Sequence, residues 1–313
     1  MDQLIRNVND EMISSRYLHK YIMVNESKKG KGALGIFAIE PIEAYEPIFT
    51  FPLKKTINSE KINKKLFFPS KLNNLRNLPK IMAVSEEMII PSVQIHFIQN
   101  LLFYIYHIDD YFFKYDLYSL PRDLYVPLFN ISEYEMRFLQ GNEAFGIITA
   151  TRQKLPNSYY FMMDELRREL KGRFEMAFGR SQIPIDDFMY CYYIFQSQAF
   201  SEKNKAFLFP YLHLANDKSF VARTGTFSNF ISGLASPFSR TKTFFLQEKV
   251  SLMNEILYHF GNVWNVEYLL VYGWIPLENY NECFEITFAD DEILKEHSLP
   301  SKLLRKILIL TCS

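Results

Sequence analysis

The stretch EILYHFGNVWNVEYLLVYGWIP, Glu255 to Pro276, decides how this chain reads. It opens on a short apolar run, Glu255 to Phe260, with the texture of a β-strand. Gly261 closes that run, and Asn265, Leu269-Leu270 and Gly273 follow at set offsets before Pro276. A random aromatic-rich chain rarely produces that combination of spacings.

Upstream lie two more short apolar runs, Phe207-Leu208-Phe209-Pro210 and Phe244-Phe245-Leu246. The Ser-, Thr- and Gly-rich segment between them, Arg223 to Thr243, predicts a long surface loop over 217–243. Downstream, Phe284 to Phe288 predicts a strand and Ser301 to Leu310 a short helix. The first third of the chain carries β-like runs at Tyr21–Val24, Ile36–Ile39 and Ile48–Phe51, with a Lys/Gly-rich turn from Lys28 to Gly35. Residues 85–200 read as helical. Ser132 and Glu135 form a capping box ahead of Met136 and Leu139. Phe161, Met162, Leu166, Leu170, Phe174 and Phe178 predict a helix over Tyr159 to Phe178, and another opens at Ile185 and runs to about Phe200. A Pro-punctuated loop spans Leu120 to Leu128. Strands, a helical block, strands and a helical tail predict an α+β domain with a helical insertion between two β halves. The expected boundaries are 1–85, 86–200, 201–280 and 281–313.

Composition narrows the function classes. The chain has 313 residues with 29 phenylalanines and 20 tyrosines, enough for a substantial core. Lys plus Arg and Asp plus Glu are both 35, so no charge excess points to nucleic acid or an anionic membrane. Cys191, Cys283 and Cys312 make no CxxC pair, which argues against a zinc cluster or a disulfide framework. The most apolar stretch, Met88 to Tyr106, is broken by Pro91, Gln94, His96, Gln99 and Asn100 and is too polar to span a bilayer. The opening MDQLIRNVNDE is too polar for a signal peptide. The expectation is an intracellular monomer, in cytosol or nucleus, without a metal.

Five segments in order resemble the SET-domain protein methyltransferases of the Rubisco large-subunit methyltransferase and actin-histidine methyltransferase class. Ala33-Leu34-Gly35-Ile36-Phe37-Ala38, followed by Ile42, Glu46 and Pro52, resembles the family's GxGLxA turn and next strand. Tyr118-Ser119-Leu120-Pro121, Pro127-Leu128-Phe129 and Phe138 to Asn142 are similar to its "LP…P…L.GT" stretch. Ser197-Gln198-Ala199-Phe200 stands at SRAF, and Phe209 to Asp217 at PLxDMxNH. Glu255 to Pro276 resembles GEQIxxSYGxxSNxELLxxYGFxP. The resemblance covers roughly residues 20–290. It implies small β-sheets tied by a knot-like crossing, a helical insertion, and a C-terminal helical lobe that is absent or reduced to a stub.

The resemblance also assigns a site. It places S-adenosylmethionine against Leu34, Gly35, Gln198, Phe200, Asn216 and Asp217, and the catalytic tyrosine at Phe260. The target is a protein side chain, and transfer is an in-line displacement governed by positioning. Phe260 keeps the ring and lacks the hydroxyl, with Tyr258 two residues away as a substitute. Gln198 replaces an arginine fork with a neutral amide. Asp217 replaces the histidine of Asn-His, His213 stands at an aspartate, and Ala33 at the first glycine of GxG. Scaffold positions such as Pro52, Leu120-Pro121, Leu269-Leu270 and Gly273 follow the pattern more closely. Three readings stay open: a degenerate SET protein acting by protein binding, an active lysine or histidine N-methyltransferase with a rebuilt donor pocket, and a sensor that binds the donor without transfer.

Overall fold

Residues 34–38, Leu-Gly-Ile-Phe-Ala, have small and apolar side chains on both faces, as a strand buried on both sides requires. A computed structural model describes residues 1–15, 17–18, 20–27, 33–59, 89–121, 130–202, 205–216, 226–228, 241–258, 264–272, 283–284 and 310–311. Eleven strands are formed among them: β1 (Ile22–Glu26), β2 (Leu34–Ala38), β3 (Pro47–Pro52), β4 (Ile57–Asn58), β5 (Phe200–Glu202), β6 (Lys205–Leu208), β7 (Thr226–Ser228), β8 (Thr241–Leu246), β9 (Glu255–Tyr258), β10 (Cys283–Phe284) and β11 (Leu310–Thr311).

A six-stranded sheet has the order β1-β2-β9-β7-β8-β3. Strands from the two ends of the chain interleave: β9 pairs antiparallel with β2 and parallel with β7. A three-stranded sheet, β4-β6-β5, joins the two halves again, and β10 pairs with β11. Residues 217–225 and 259–263, beside the expected site of the knot-like crossing, lie outside the described residues.

Between the β halves run the helices α2 (Ser92–Tyr106), α3 (Lys114–Ser119), α4 (Glu133–Met136), α5 (Glu143–Leu170), α6 (Phe174–Phe178) and α7 (Ile185–Gln198). The run Ile95 to Phe103 of α2 is buried almost all round, apart from the half-exposed His96, so α2 is the central helix. Two of its amides are paired, Asn100 Nδ2 donating to Asn58 O at 2.6 Å and Gln99 Nε2 to Glu165 at 2.9 Å, whereas Gln94 Oε1 is buried without a hydrogen bond. Phe97 meets Phe195 of α7 edge-on, with ring centroids 5.3 Å apart.

Several expectations need correction. Leu34 and Gly35 belong to β2, paired with Glu26 and Asn25, and not to the turn. The helix predicted over Tyr159–Phe178 starts at Glu143, runs through Pro156 and stops at Leu170. Lys171 (φ 45°) and Gly172 (φ 79°) take left-handed backbone there, and α6 follows as a separate turn. The 217–243 segment is not all loop, because β7 and the first residues of β8 fall inside it. Leu310 is in a strand, while 301–309 lie outside the described residues.

One helix went unread: α1 (Asp2–Ser14), which buries Val8 and Met12. Its Asn9 side chain accepts from Val24 N at 2.7 Å and donates to Val24 O at 2.9 Å. That amide pairs with the backbone of β1, the edge of the six-stranded sheet, and so covers it. The capping box at Ser132 and Glu135 is formed as expected.

Candidate functional site

The site is built where β2, β9 and the segment after β6 converge. Asn216 is the stitch between them. Its Nδ2 donates to Leu34 O at 3.0 Å and to Glu255 Oε1 at 2.6 Å, and its own carbonyl accepts from Tyr258 N at 2.8 Å. One residue thus continues the ladder of β9 and holds the start of β2. Glu255 is gripped from a second side by Ser27, whose Oγ lies 3.0 Å from both carboxylate oxygens. Ser27 N donates to Ala33 O at 2.8 Å, closing the connection between β1 and β2. A charge-assisted network of this kind fixes all its members.

Gly35 faces this network. A Cβ at residue 35 would fall 2.4 Å from Glu255 Oε1 and 3.3 Å from Asn216 Nδ2. With Glu255 held in that place, glycine is what fits, by close approach rather than by backbone angle. No side chain, not even a methyl, fits between Gly35 and the carboxylate.

Beyond Asn216 the wall is aromatic. Phe200 meets Tyr258 edge-on at 5.4 Å, Phe209 at 5.5 Å and Phe244 at 5.8 Å. Tyr258 is buried, and burial pushes its hydroxyl well above the ordinary tyrosine range, so it stays protonated. Gln198 is the last residue of α7 and half-buried, two residues before Phe200. The structure therefore unites Leu34, Gly35, Asn216, Phe200 and Tyr258 through direct contacts or a shared backbone. Asp217 and Phe260 lie outside the described residues. Ser27 and Glu255 are site residues that sequence reading missed. Glu255 offered a signal, a lone carboxylate opening an otherwise apolar strand; Ser27 offered none.

A second buried polar cluster holds the segment that delivers Asn216. Tyr211, at φ 62°, donates its N–H to Asp116 Oδ1 at 2.5 Å and its hydroxyl to Glu11. His213 Nε2 lies 3.0 Å from Ser119 Oγ, and His213 Nδ1 is 3.4 Å from Asp116 Oδ1, too misaligned for a hydrogen bond. Ser119 Oγ donates to Asp116 O at 2.7 Å. Its proton is therefore spent, and His213 Nε2 must act as the donor toward it. That proton order is the reverse of what a serine nucleophile needs. Burial drives Asp116 well above the ordinary carboxylate range and His213 down to about 3, so the imidazole is uncharged near neutral pH. The cluster is a buried polar anchor tying α1 and α3 to residues 211–216.

Among the described residues no group of His, Cys, Asp and Glu is placed to hold a metal ion. No helix among them is long and apolar enough to cross a membrane.

The interleaved sheets, the helical block between them and the Leu34–Asn216 junction define the class: the chain has the fold of a SET domain. In particular it is similar to the SET domain of LSMT bound to lysine and AdoHcy, at TM-score 0.63 and 18% identity over 93% of this chain. Rubisco LSMT bound to AdoMet matches at TM-score 0.62 and 16% identity over 94% of the chain. Rubisco LSMT bound to sinefungin and monomethyllysine matches at TM-score 0.62 and 16% identity over 95%. The chain spans 62–63% of the length of those structures. No protein-family model and no curated protein matches it.

Proposed function

We propose that this chain is a SET-type protein in which methyl transfer is lost or strongly reduced, and that it acts by binding another protein. The observation that carries this reading is the self-satisfied junction. Both hydrogens of Asn216 Nδ2 are committed within the chain, and the Glu255 carboxylate fills the face of Gly35. On that face the residues do not fit S-adenosylmethionine, so no step is derived through it. Phe260 supports the same reading, since losing a positioned catalytic hydroxyl costs about 10²–10⁴ in rate. Tyr258 is a poor substitute, being packed against Phe200 at the end of β9. Three cysteines in 313 residues are far from the disulfide density of small secreted domains, which supports an intracellular setting, cytosol or nucleus.

One observation favours the second reading, an active S-adenosylmethionine-dependent protein-lysine or histidine N-methyltransferase with a rebuilt pocket. Leu34, Gly35 and Asn216 are far apart in sequence yet meet as donor binding by this fold would need. Thermal melting separates the two. A ligand at about 100 times its Kd adds roughly 2.7 kcal/mol of stability. We expect no melting shift with S-adenosylmethionine or S-adenosylhomocysteine, for the chain or for Phe260→Tyr. A saturable shift would overturn the loss of donor binding. Labelled methyl transferred to protein in a cell extract by either form would overturn the loss of catalysis.

A further inference from the structure

At the end of β2 and the start of β9, two loops, 39–46 and 247–254, are tied back to back. Ile42 and Val250 exchange N–H···O bonds of 2.9 Å, Tyr45 N donates to Leu246 O at 2.8 Å, and Met253 N donates to Ala38 O at 2.7 Å. Ile42 and Val250 are buried beneath. Above them Ile39, Tyr45, Leu252 and Met253 project into solvent, 38, 74, 55 and 55% exposed. Four large apolar side chains exposed along two loops hydrogen-bonded to each other are more than the scattered exposure normal for a surface.

The backbone sharpens the point. Tyr45 (φ 67°) and Met253 (φ 60°) both hold left-handed conformations, where Gly or Asn is at home. Each costs about 1 kcal/mol there. A large apolar residue at such a position is strained and exposed at once, with no folding benefit visible in its burial. Outliers of this kind point to function rather than the reverse.

Charge selects the occupant. The two loops carry Glu40, Glu43, Glu46 and Glu248 against one lysine, Lys249, which pairs with Glu43 at 2.5 Å. Outside the loops, Lys20 sits over the Tyr21 ring at 4.4 Å, and Glu40 and Glu46 both act on its charge. Four carboxylates against two lysines leave these loops net negative beside their exposed apolar residues. A second copy docked isologously would set that negative charge against itself. An anionic bilayer would be repelled. We propose that this two-loop platform docks a segment of another protein that brings large apolar anchors flanked by Lys or Arg. The inference needs neither the methyl donor nor transfer.

The test is a selection of random peptides of about sixteen residues, displayed on phage, against the full chain. Enriched peptides are expected to combine net positive charge with at least two large apolar residues. A synthetic representative should bind by fluorescence anisotropy, more weakly as salt rises. Tyr45→Asn with Leu252→Ser, and separately Glu40→Lys with Glu46→Lys, should each weaken it by at least about tenfold. Asn suits the left-handed backbone at position 45, so a melting temperature that does not fall will show that the fold survives. The proposal is overturned by no enrichment, by enrichment of acidic or uncharged peptides, or by binding that these substitutions leave intact. Cosedimentation with phosphatidylcholine–phosphatidylserine vesicles that Tyr45→Asn abolishes would assign the platform to a membrane instead. Dimerisation lost in the same variant would assign it to a second copy.

Discussion

Gly35 and Glu255 are the residues on which the site turns. The carboxylate stands where a β-carbon would be, held there by Ser27 and Asn216. Gly35→Ala must displace Glu255 and break those bonds, an overpacking cost of about 1–3 kcal/mol. In a Glu255→Ala background the obstacle is gone, and the same change should cost less than about 0.5 kcal/mol. Denaturant titration of the four proteins in this cycle measures the coupling. Equal costs in both backgrounds would mean that Glu255 does not occupy that face in solution. Sequence alone marked Leu34, Gly35 and Asn216 but not their partner. Nothing local distinguishes a carboxylate facing solvent from one facing a glycine 220 residues earlier.

Elements were readable in proportion to how local their causes are. Strands β1, β2, β3, β6, β8 and β9 fall within a few residues of apolar runs, and α7 follows its periodic stretch closely. Helix α5 begins well upstream of the periodic stretch at Tyr159 and crosses Pro156, a breaker in sequence. It is tolerated because its neighbours Leu155, Ser158 and Tyr159 are buried, and Tyr159 also donates its hydroxyl to Ile183 O at 2.6 Å. Pro156 itself is exposed, so Pro156→Ala restores a backbone donor without disturbing the core. It should raise unfolding free energy by about 1–3 kcal/mol in urea titrations. A loss of stability would mean that Pro156 makes a contact of its own. Helix α1 has apolar spacing at Val8 and Met12 but little else apolar, and docking on β1 and α3, with the Tyr211–Glu11 bond, holds it.

For the whole molecule, the buried cluster of Glu11, Asp116, Tyr211 and His213 makes stability depend on pH from two sides. His213 is held near 3 by burial, below its ordinary 6.5. Between those values the unfolded chain binds the extra proton, so this contribution is full above about pH 6.5 and lost as pH falls toward 3. Asp116 and Glu11 are pushed up by burial, although Tyr211 bonds to both. There the native state keeps the proton, so stability is full below about pH 4 and falls as pH rises through the raised values. His213→Asn should flatten the acid limb between pH 6.5 and 3. Asp116→Asn should gain on the parent chain as pH climbs above about 4. Urea midpoints across pH 3–8 measure both, and differences that stay constant with pH would refute these burial-driven shifts.

The sequence by itself determined that two β halves flank a helical block, because hydrophobic period is a property of the local chain. Only the tertiary structure decided that β9 enters between β2 and β7. The same holds for Glu255 closing on Gly35 and for Tyr211 reaching Glu11. Backbone donors and acceptors are alike at every residue, so which of them meet is settled by packing across the whole molecule.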